Sequence, residues 1–212
     1  MNGSVSHPLF ARGYDRTSRT MEARGQREHR LRLLAGLNGQ VLEVGAGNGL
    51  NFPFYPHTVA SVVAVEPEPY LRDRAALAAT EAPVPVRVID GVAEALPLET
   101  GSVDAAVVSL VLCSVSDQEA ALRELHRVIK PGGELRFYEH VRALKPRGAR
   151  TQQLFDVIWP RIGGGCHASR DTLTAIEQAG FAIERCTRFA FKPFPFPFPT
   201  APHVLGVARR GA

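Results

Sequence analysis

After Gly36 the chain alternates short apolar bursts with longer stretches of helical period. Val41-Leu42-Glu43-Val44, Val62-Val63-Ala64-Val65 and Val86-Arg87-Val88-Ile89 are β-branched runs, with a fourth inside residues 103–112 and a fifth at 134–138. Several are apolar at nearly every position, as in parallel strands covered on both faces. Between the fourth and fifth runs, Ser116 and Glu119 have the spacing of a capping box. Leu122, Leu125, Val128 and Ile129 then share one face, and Pro131 stops the helix. Another helix is expected to start near Ser169 or Asp171, turn Leu173 and Ile176 inward, and end at Gly180. Strand and helix alternating in this way predict a doubly wound α/β sheet.

Three segments fall outside the repeat. Residues 1–36 read as a polar, arginine-rich N-terminal cap. Its helix, over residues 16–34, has apolar positions clustered only at Leu31, Leu33 and Leu34, and is expected to dock by its end with its arginines facing water. Residues 141–168 form a long connection, a lid or substrate insertion, with a helix expected over 151–158. Residues 191–199 place proline at every second position from 193, which excludes helix and central strand. This Phe-Pro loop, within 190–202, either walls an apolar substrate mouth or covers a sheet edge.

A length of 212 residues suits a single domain, 1–212, and 45% hydrophobic with 22% charged residues excludes a disordered or fibrous chain. Lys+Arg number 25 against 21 Asp+Glu, and a scattered net charge of +4 is too weak a basic signal for nucleic acid. The longest apolar stretch, residues 105–115, is broken by Ser109 and Ser114 and is too short to span a bilayer. No charged-then-apolar leader opens the sequence. The cysteines, Cys113, Cys166 and Cys186, are odd in number and lack CxxC spacing, and the Cys166-His167 pair has no spaced partners. No disulfide framework and no metal site are therefore expected. The expectation is a cytoplasmic protein.

Candidate chemistry begins where the first run ends, at Gly45-Ala46-Gly47-Asn48-Gly49. Glycines there permit a sharp turn and close approach of a ligand, or simply a tight turn. A dinucleotide fingerprint, G-x-G-x-x-G, would need glycine where Leu50 stands. Glu43 would repel a pyrophosphate and suits a cationic ligand. Glu66, closing the second run, can accept from two ribose hydroxyls; alternatively it is a solvated loop acid.

Taken together, Glu43-x-Gly45-x-Gly47-x-Gly49, Glu66, the segment Gly91-Val92-Ala93-Glu94-Ala95-Leu96-Pro97, Ser102-Val103-Asp104-Ala105-Ala106-Val107-Val108, and Arg127-Val128-Ile129-Lys130-Pro131-Gly132-Gly133 resemble the successive motifs of class I S-adenosylmethionine-dependent methyltransferases. The likeness covers residues 38–209. Asn51-Phe52 with Phe54-Tyr55-Pro56, the run Leu110-Val111-Leu112-Cys113-Ser114-Val115, Glu139-His140-Val141, Gln152-Gln153 with Trp159, Gly165-Cys166 and Pro202-His203-Val204-x-Gly206 resemble, more narrowly, the branch that methylates small thiols. That branch carries an apolar N-terminal anchor; none stands in these residues, so no integral membrane segment is expected.

The resemblance implies a seven-stranded, mostly parallel sheet whose last strand, around residues 203–208, is antiparallel. It implies S-adenosylmethionine as cofactor. Gly45 and Gly47 would meet its aminoacyl end, Glu66 its ribose diol and Pro67 its adenine. Gly91, Val92 and Ala93 would border adenine, Ser109 and Leu110 would back the methionine portion, and Glu43 and Asn51 would complete the pocket. Many relatives have Asp where Val92 stands, so a backbone carbonyl or Glu94 would accept from the adenine amine. Tyr14, with Asp15, would fold over the cofactor, or lie on a surface helix.

Acceptor chemistry is expected at the carboxyl ends of the strands. His140 is the candidate general base, or a structural histidine. Cys113 and Glu139 would border a small-molecule acceptor, although Cys113 also reads as core and Glu139 as a loop anchor. Asp156 and Trp159, three residues apart, would share a face of the lid helix and frame the acceptor substrate, or pack and cap the lid. The activity implied is methyl transfer to a small, partly apolar acceptor, a thiol above all. O- or N-methylation of a small molecule or phospholipid head group, and a cofactor-binding module without catalysis, are the alternatives. A nicotinamide oxidoreductase is disfavoured by Leu50.

Overall fold

The apolar runs become adjacent parallel strands because the first four carry β-branched residues, the fifth carries Leu135, Phe137 and Tyr138, and the segments between them are long enough to cross back. In the computed structural model, which describes residues 8–193 and 198–211 apart from the side chain of Leu9, β1 (Gly39–Val44) pairs with β2 (Val59–Val65) and with β4 (Val103–Ser109). Outside these lie β3 (Val86–Ile89) and β5 (Ile129–His140), both parallel to their neighbours. Two strands complete the sheet beyond β5. β7 (Pro202–Arg210) runs antiparallel between β5 and β6 (Phe181–Ala190), giving the order β3-β2-β1-β4-β5-β7-β6 among the described residues. The doubly wound α/β sheet with an antiparallel last strand is therefore present.

Helices cover both faces. On one, α4 (Gln118–Val128) and α7 (Thr172–Gln178) bury Leu122, Leu125, Val128 and Ile176 against Leu42, Val44, Val108 and Phe137. On the other, α2 (Arg27–Leu34) and α3 (Pro69–Ala79) bring Leu33, Leu34 and Ala75 onto Val41, Val62, Ala64 and Tyr138. The parallel register aligns the carboxyl ends of β1, β2, β4 and β5 along one rim.

Four local expectations are corrected. The helix of the N-terminal cap begins before residue 16, as α1 (Pro8–Met21), and breaks before α2, because Gly25 at φ +109° leaves helical geometry. Its arginines do not all face water: Arg30 is buried. Helix α4 is capped by Asp117, whose carboxylate accepts from Ala120 N at 2.9 Å, while Ser116 Oγ donates instead to Glu94 at 2.7 Å. The lid helix is α5 (Pro146–Phe155), with proline at its first position; Trp159 opens a separate short helix, α6 (Trp159–Ile162). Asp156 and Trp159 thus do not share one helix.

Of the Phe-Pro loop, residues 194–197 lie outside the described residues. Its flanks join β6 to β7, with Phe191 N donating to Ala201 O at 2.9 Å.

Candidate active site

At the end of β1 the backbone turns back on itself. Gly45 N and Ala46 N both donate to Val65 O, at 2.8 and 3.2 Å, and Gly45 and Gly47 take φ of +67° and +58°. A Cβ on Gly45 would stand 2.5 Å from Val111 Cγ2, and one on Gly47 would stand 3.2 Å from the Tyr14 ring. Glu66, buried at the end of β2, accepts from Gly47 N at 2.7 Å and from Glu68 N at 3.0 Å. Burial raises its pKa, partly offset by these two amides. An ionised carboxylate has about four acceptor positions, so about two remain for a ligand.

Helix α1 closes over this turn. Asn48 Nδ2 donates to Asp15 Oδ1 at 2.7 Å and to Ser18 Oγ at 3.1 Å, and Arg19 and Arg74 each reach Asp15 at 3.3 Å. These bonds hold Tyr14 above Gly47.

Behind the turn lies a buried polar chain. Glu43 accepts from Tyr55 Oη at 2.6 Å and Asn51 Nδ2 at 2.8 Å. Asn51 Oδ1 accepts from Arg30 Nη1 at 2.9 Å, and Arg30 Nε donates to Glu22 at 2.6 Å. Arg30 also reaches Ser109 Oγ at 3.3 Å. Burial pushes Glu43 up to about 7, against the pull of Tyr55, Asn51 and Arg30. Glu43 thereby orients Asn51 and Tyr55, and through Asn51 the Arg30 guanidinium.

The rim at β4 and β5 is built around Leu110, a non-glycine residue at φ +62°. That geometry costs about 1–2 kcal/mol. It is held by Leu110 N donating to Tyr138 O at 2.7 Å and by the buried Glu139 carboxylate, which accepts from Val111 N, Leu112 N and Cys113 N at 2.9, 3.0 and 3.2 Å. Burial raises Glu139 to about 7 despite those amides. Beside it, His140 Nδ1 lies 3.5 Å from Cys113 Sγ and 3.2 Å from Cys166 Sγ. The two sulfurs are 3.7 Å apart, and their mutual hydrogen bond lowers the pKa of Cys166 and raises that of Cys113.

Across the opening, Asp156 accepts from Ala168 N at 2.7 Å and from Ser169 N and Oγ at 2.9 and 2.6 Å. Its carboxylate pins the lid. Trp159 stacks on Phe155 at 4.8 Å, and Phe198 meets both rings edge-on at 5.4 Å.

Residues 42–137 match the family model described as a methyltransferase domain. The chain is 36% identical over 184 residues to thiol S-methyltransferase TMT1B of Rattus norvegicus, covering 82% of this chain and 73% of that protein. It is 35% identical over 204 residues to TMT1B of Homo sapiens, covering 91% and 81%. The chain belongs to the class I S-adenosylmethionine-dependent methyltransferases. Among solved structures, a possible histamine N-methyltransferase of Thermotoga maritima is similar at TM-score 0.70 and 21% identity, covering 95% of this chain and 98% of that one. A geranyl diphosphate methyltransferase in complex with S-adenosylmethionine reaches TM-score 0.69 at 16% identity, covering 88% and 85%. These two likenesses concern the fold.

The methyltransferase's crevice fits its cofactor on its own geometry: a turn whose glycines leave no room for side chains, a buried carboxylate with acceptor positions to spare, and a strained rim facing it. Pro67 follows Glu66, and its carbonyl is fixed by Arg72 at 3.0 Å. After β3, Gly91 packs so tightly that a Cβ would touch Val65 at 3.0 Å; Val92 pairs with Ala95, and Ala93 is buried. Glu94 is anchored to the start of α4 through one of its two carboxylate oxygens. Its Oε1 already accepts from Ser116 N, Ser116 Oγ and Asp117 N, at 2.9, 2.7 and 3.2 Å. Arg30, Tyr55 and Cys166 joined the site without being expected there. Tyr55 and Cys166 lie in motifs that the resemblance had marked; Arg30 had no signal beyond its helix.

Among the described residues no helix is long and apolar enough to cross a membrane.

Proposed function

We propose that this methyltransferase acts on a small, partly apolar thiol. Bound S-adenosylmethionine supplies a methyl group on a sulfonium, open to in-line displacement by a nucleophile. The chain's residues then have to grip, align and shield. Glu66 holds the ribose diol. Gly45, Gly47 and Tyr14 enclose the aminoacyl end, Gly91, Val92, Ala93 and Pro67 border adenine, and Ser109 and Leu110 back the methionine portion through the strained rim. Orientation alone contributes up to about 7–11 kcal/mol in well-aligned pairs.

The observation that carries the thiol reading is the fate of the carboxylates near the acceptor. Glu139 is committed to three backbone amides and Asp156 to the lid. His140 turns Nδ1 to two sulfurs. An alcohol or amine acceptor would want a base here, whereas a thiol of pKa about 8.5 supplies a few per cent thiolate unaided. The relatives named as thiol S-methyltransferases support the same reading. Cys113 and Trp159 border the acceptor, and the exposed Leu154, Val157, Ile158 and Ile162 on the lid give its entrance an apolar character.

The test is a panel of acceptors sharing one aryl or alkyl skeleton and differing only in a terminal SH, OH or NH₂. Turnover of the thiol is expected to exceed that of its counterparts by about 100-fold or more, the scale of removing an intrinsic thiolate nucleophile where no base substitutes for it. Methylation of phenol or amine with none of the thiols would replace this reading with O- or N-methylation. Cofactor binding without turnover of any acceptor would favour a non-catalytic module.

A further inference from the structure

We propose that Cys113, His140 and Cys166 form a binding site for a divalent ion of the zinc class, its fourth position open to the acceptor's thiolate. The three donors come from three separate places in the chain, the loop after β4, the end of β5 and the lid loop, and converge on one point. Sequence spacing could not reveal them.

The triangle has the dimensions of a tetrahedral face. Metal–sulfur bonds of about 2.3 Å and a metal–nitrogen bond of about 2.1 Å give edges of about 3.8 Å between sulfurs and about 3.6 Å between sulfur and nitrogen. Here the edges are 3.7 Å between sulfurs and 3.5 and 3.2 Å from sulfur to Nδ1. Two thiolates and one imidazole are soft and borderline donors, a set that selects zinc over magnesium or calcium. Three protein ligands with one position left is the arrangement of a catalytic rather than a structural zinc.

The donors are also held in place. Glu139 grips Cys113 N, and Cys113 O accepts from His167 N at 2.7 Å, which ties the first ligand's loop to the lid loop that bears the third. Trp159 Nε1 is buried and turned to Cys166. An indole N–H there suits a thiolate ligand, as outer-shell donors to metal-bound sulfur do. The cysteines are buried and His140 is half-buried, so the donors are shielded from bulk water.

In the step this adds, a water on the ion leaves, the acceptor's sulfur binds in its place, and its proton passes to solvent. Coordination deprotonates a thiol outright at neutral pH. The choice of a thiolate as fourth ligand rests on the thiol reading above; the ion's binding does not.

The experiment uses the full chain, reduced and without acceptor. Elemental analysis after purification from zinc-supplemented medium is expected to find about one zinc per chain. Cobalt(II) added to the metal-stripped protein should give a thiolate-to-cobalt charge-transfer band and intense tetrahedral bands. Cys113→Ser and Cys166→Ser should bind about tenfold or more weakly, and Cys186→Ser, at an exposed position on β6, should match the parent. Addition of a thiol, but not the matched alcohol, should shift the visible cobalt bands. Absence of zinc together with absence of the charge-transfer band in the parent protein overturns the proposal without reference to any variant's folding. Recovery of Cys113 and Cys166 as a disulfide from fresh protein also overturns it, whereas a cobalt spectrum indifferent to thiols overturns the thiolate as fourth ligand and leaves the ion's site standing. The acceptor panel is scored separately, so a thiol methyltransferase lacking the ion is told apart from an ion-binding enzyme that methylates something else.

Discussion

Glu66→Ala is expected to weaken S-adenosylhomocysteine binding by about 100-fold or more, from a micromolar parent value of about −8 kcal/mol. The ribose diol would lose two hydrogen bonds to a charged acceptor, worth about 1.5–3 kcal/mol each. The substitution also releases Gly47 N and Glu68 N, which the carboxylate now organises. Glu66→Gln keeps the shape and one acceptor oxygen, and should fall between, at about tenfold. Folding and binding separate cleanly here. Burial raises the pKa of Glu66, so its charge is a cost to the folded chain, present as pH rises through the folded value and relieved below the unfolded one. The glutamine variant escapes that charge cost but leaves one of the two amides without its acceptor, so its stability at neutral pH should stay near the parent's while its binding falls. Calorimetric titration of the three proteins checks this; undiminished affinity in Glu66→Ala would remove the carboxylate from the site.

The second large effect is on stability. Arg30→Met is expected to cost about 3–5 kcal/mol, because it removes one partner of a buried ion pair and leaves the other. The Arg30 and Glu22 side chains are 6% and 15% exposed, far from a surface pair worth about 1 kcal/mol or less. Losing the guanidinium strands Glu22 and the Asn51 carbonyl, and it deprives Glu43 of the positive charge that opposes its burial. Glu43, already pushed up to about 7, would move higher and be neutral at physiological pH. Arg30→Lys should recover little, since one ammonium cannot serve Glu22, Asn51 and Ser109 from the same position. Urea unfolding of the three proteins measures it; a loss under about 1 kcal/mol would return Arg30 to the solvated face expected from its sequence.

That contrast shows what the sequence carried and what it did not. The sheet was legible because Val41-Leu42, Val62-Val63 and Val103 to Val108 are apolar on both faces, a pattern few other structures satisfy. Gly45, Gly47 and Glu66 were legible because a turn and an acid at strand ends are local features. Arg30 was not: its helix has no clear apolar stripe, and what buries the guanidinium is a network spanning residues 22 to 109, invisible to any window along the chain. The lid failed for a related reason. One helix was expected over 151–158, but Asp156 turns its carboxylate to Ala168 and Ser169, and a new short helix begins at Trp159 with Pro160 in its first turn. Ser116 and Glu119 fit a capping box in spacing, yet Glu94 from a distant loop claimed the serine. The sulfur and imidazole cluster is the extreme case, three residues joined only by the fold.

A crystal structure of the chain with S-adenosylhomocysteine tests the arrangement most directly. The expected density puts both ribose hydroxyls within hydrogen-bond distance of Glu66 and the homocysteine end against Gly45 and Gly47 under Tyr14. The ligand's sulfur should face the rim where Cys113 and His140 meet. A ligand lying elsewhere, or turned so that its sulfur points away from that rim, would contradict both the pocket and the acceptor chemistry derived from it.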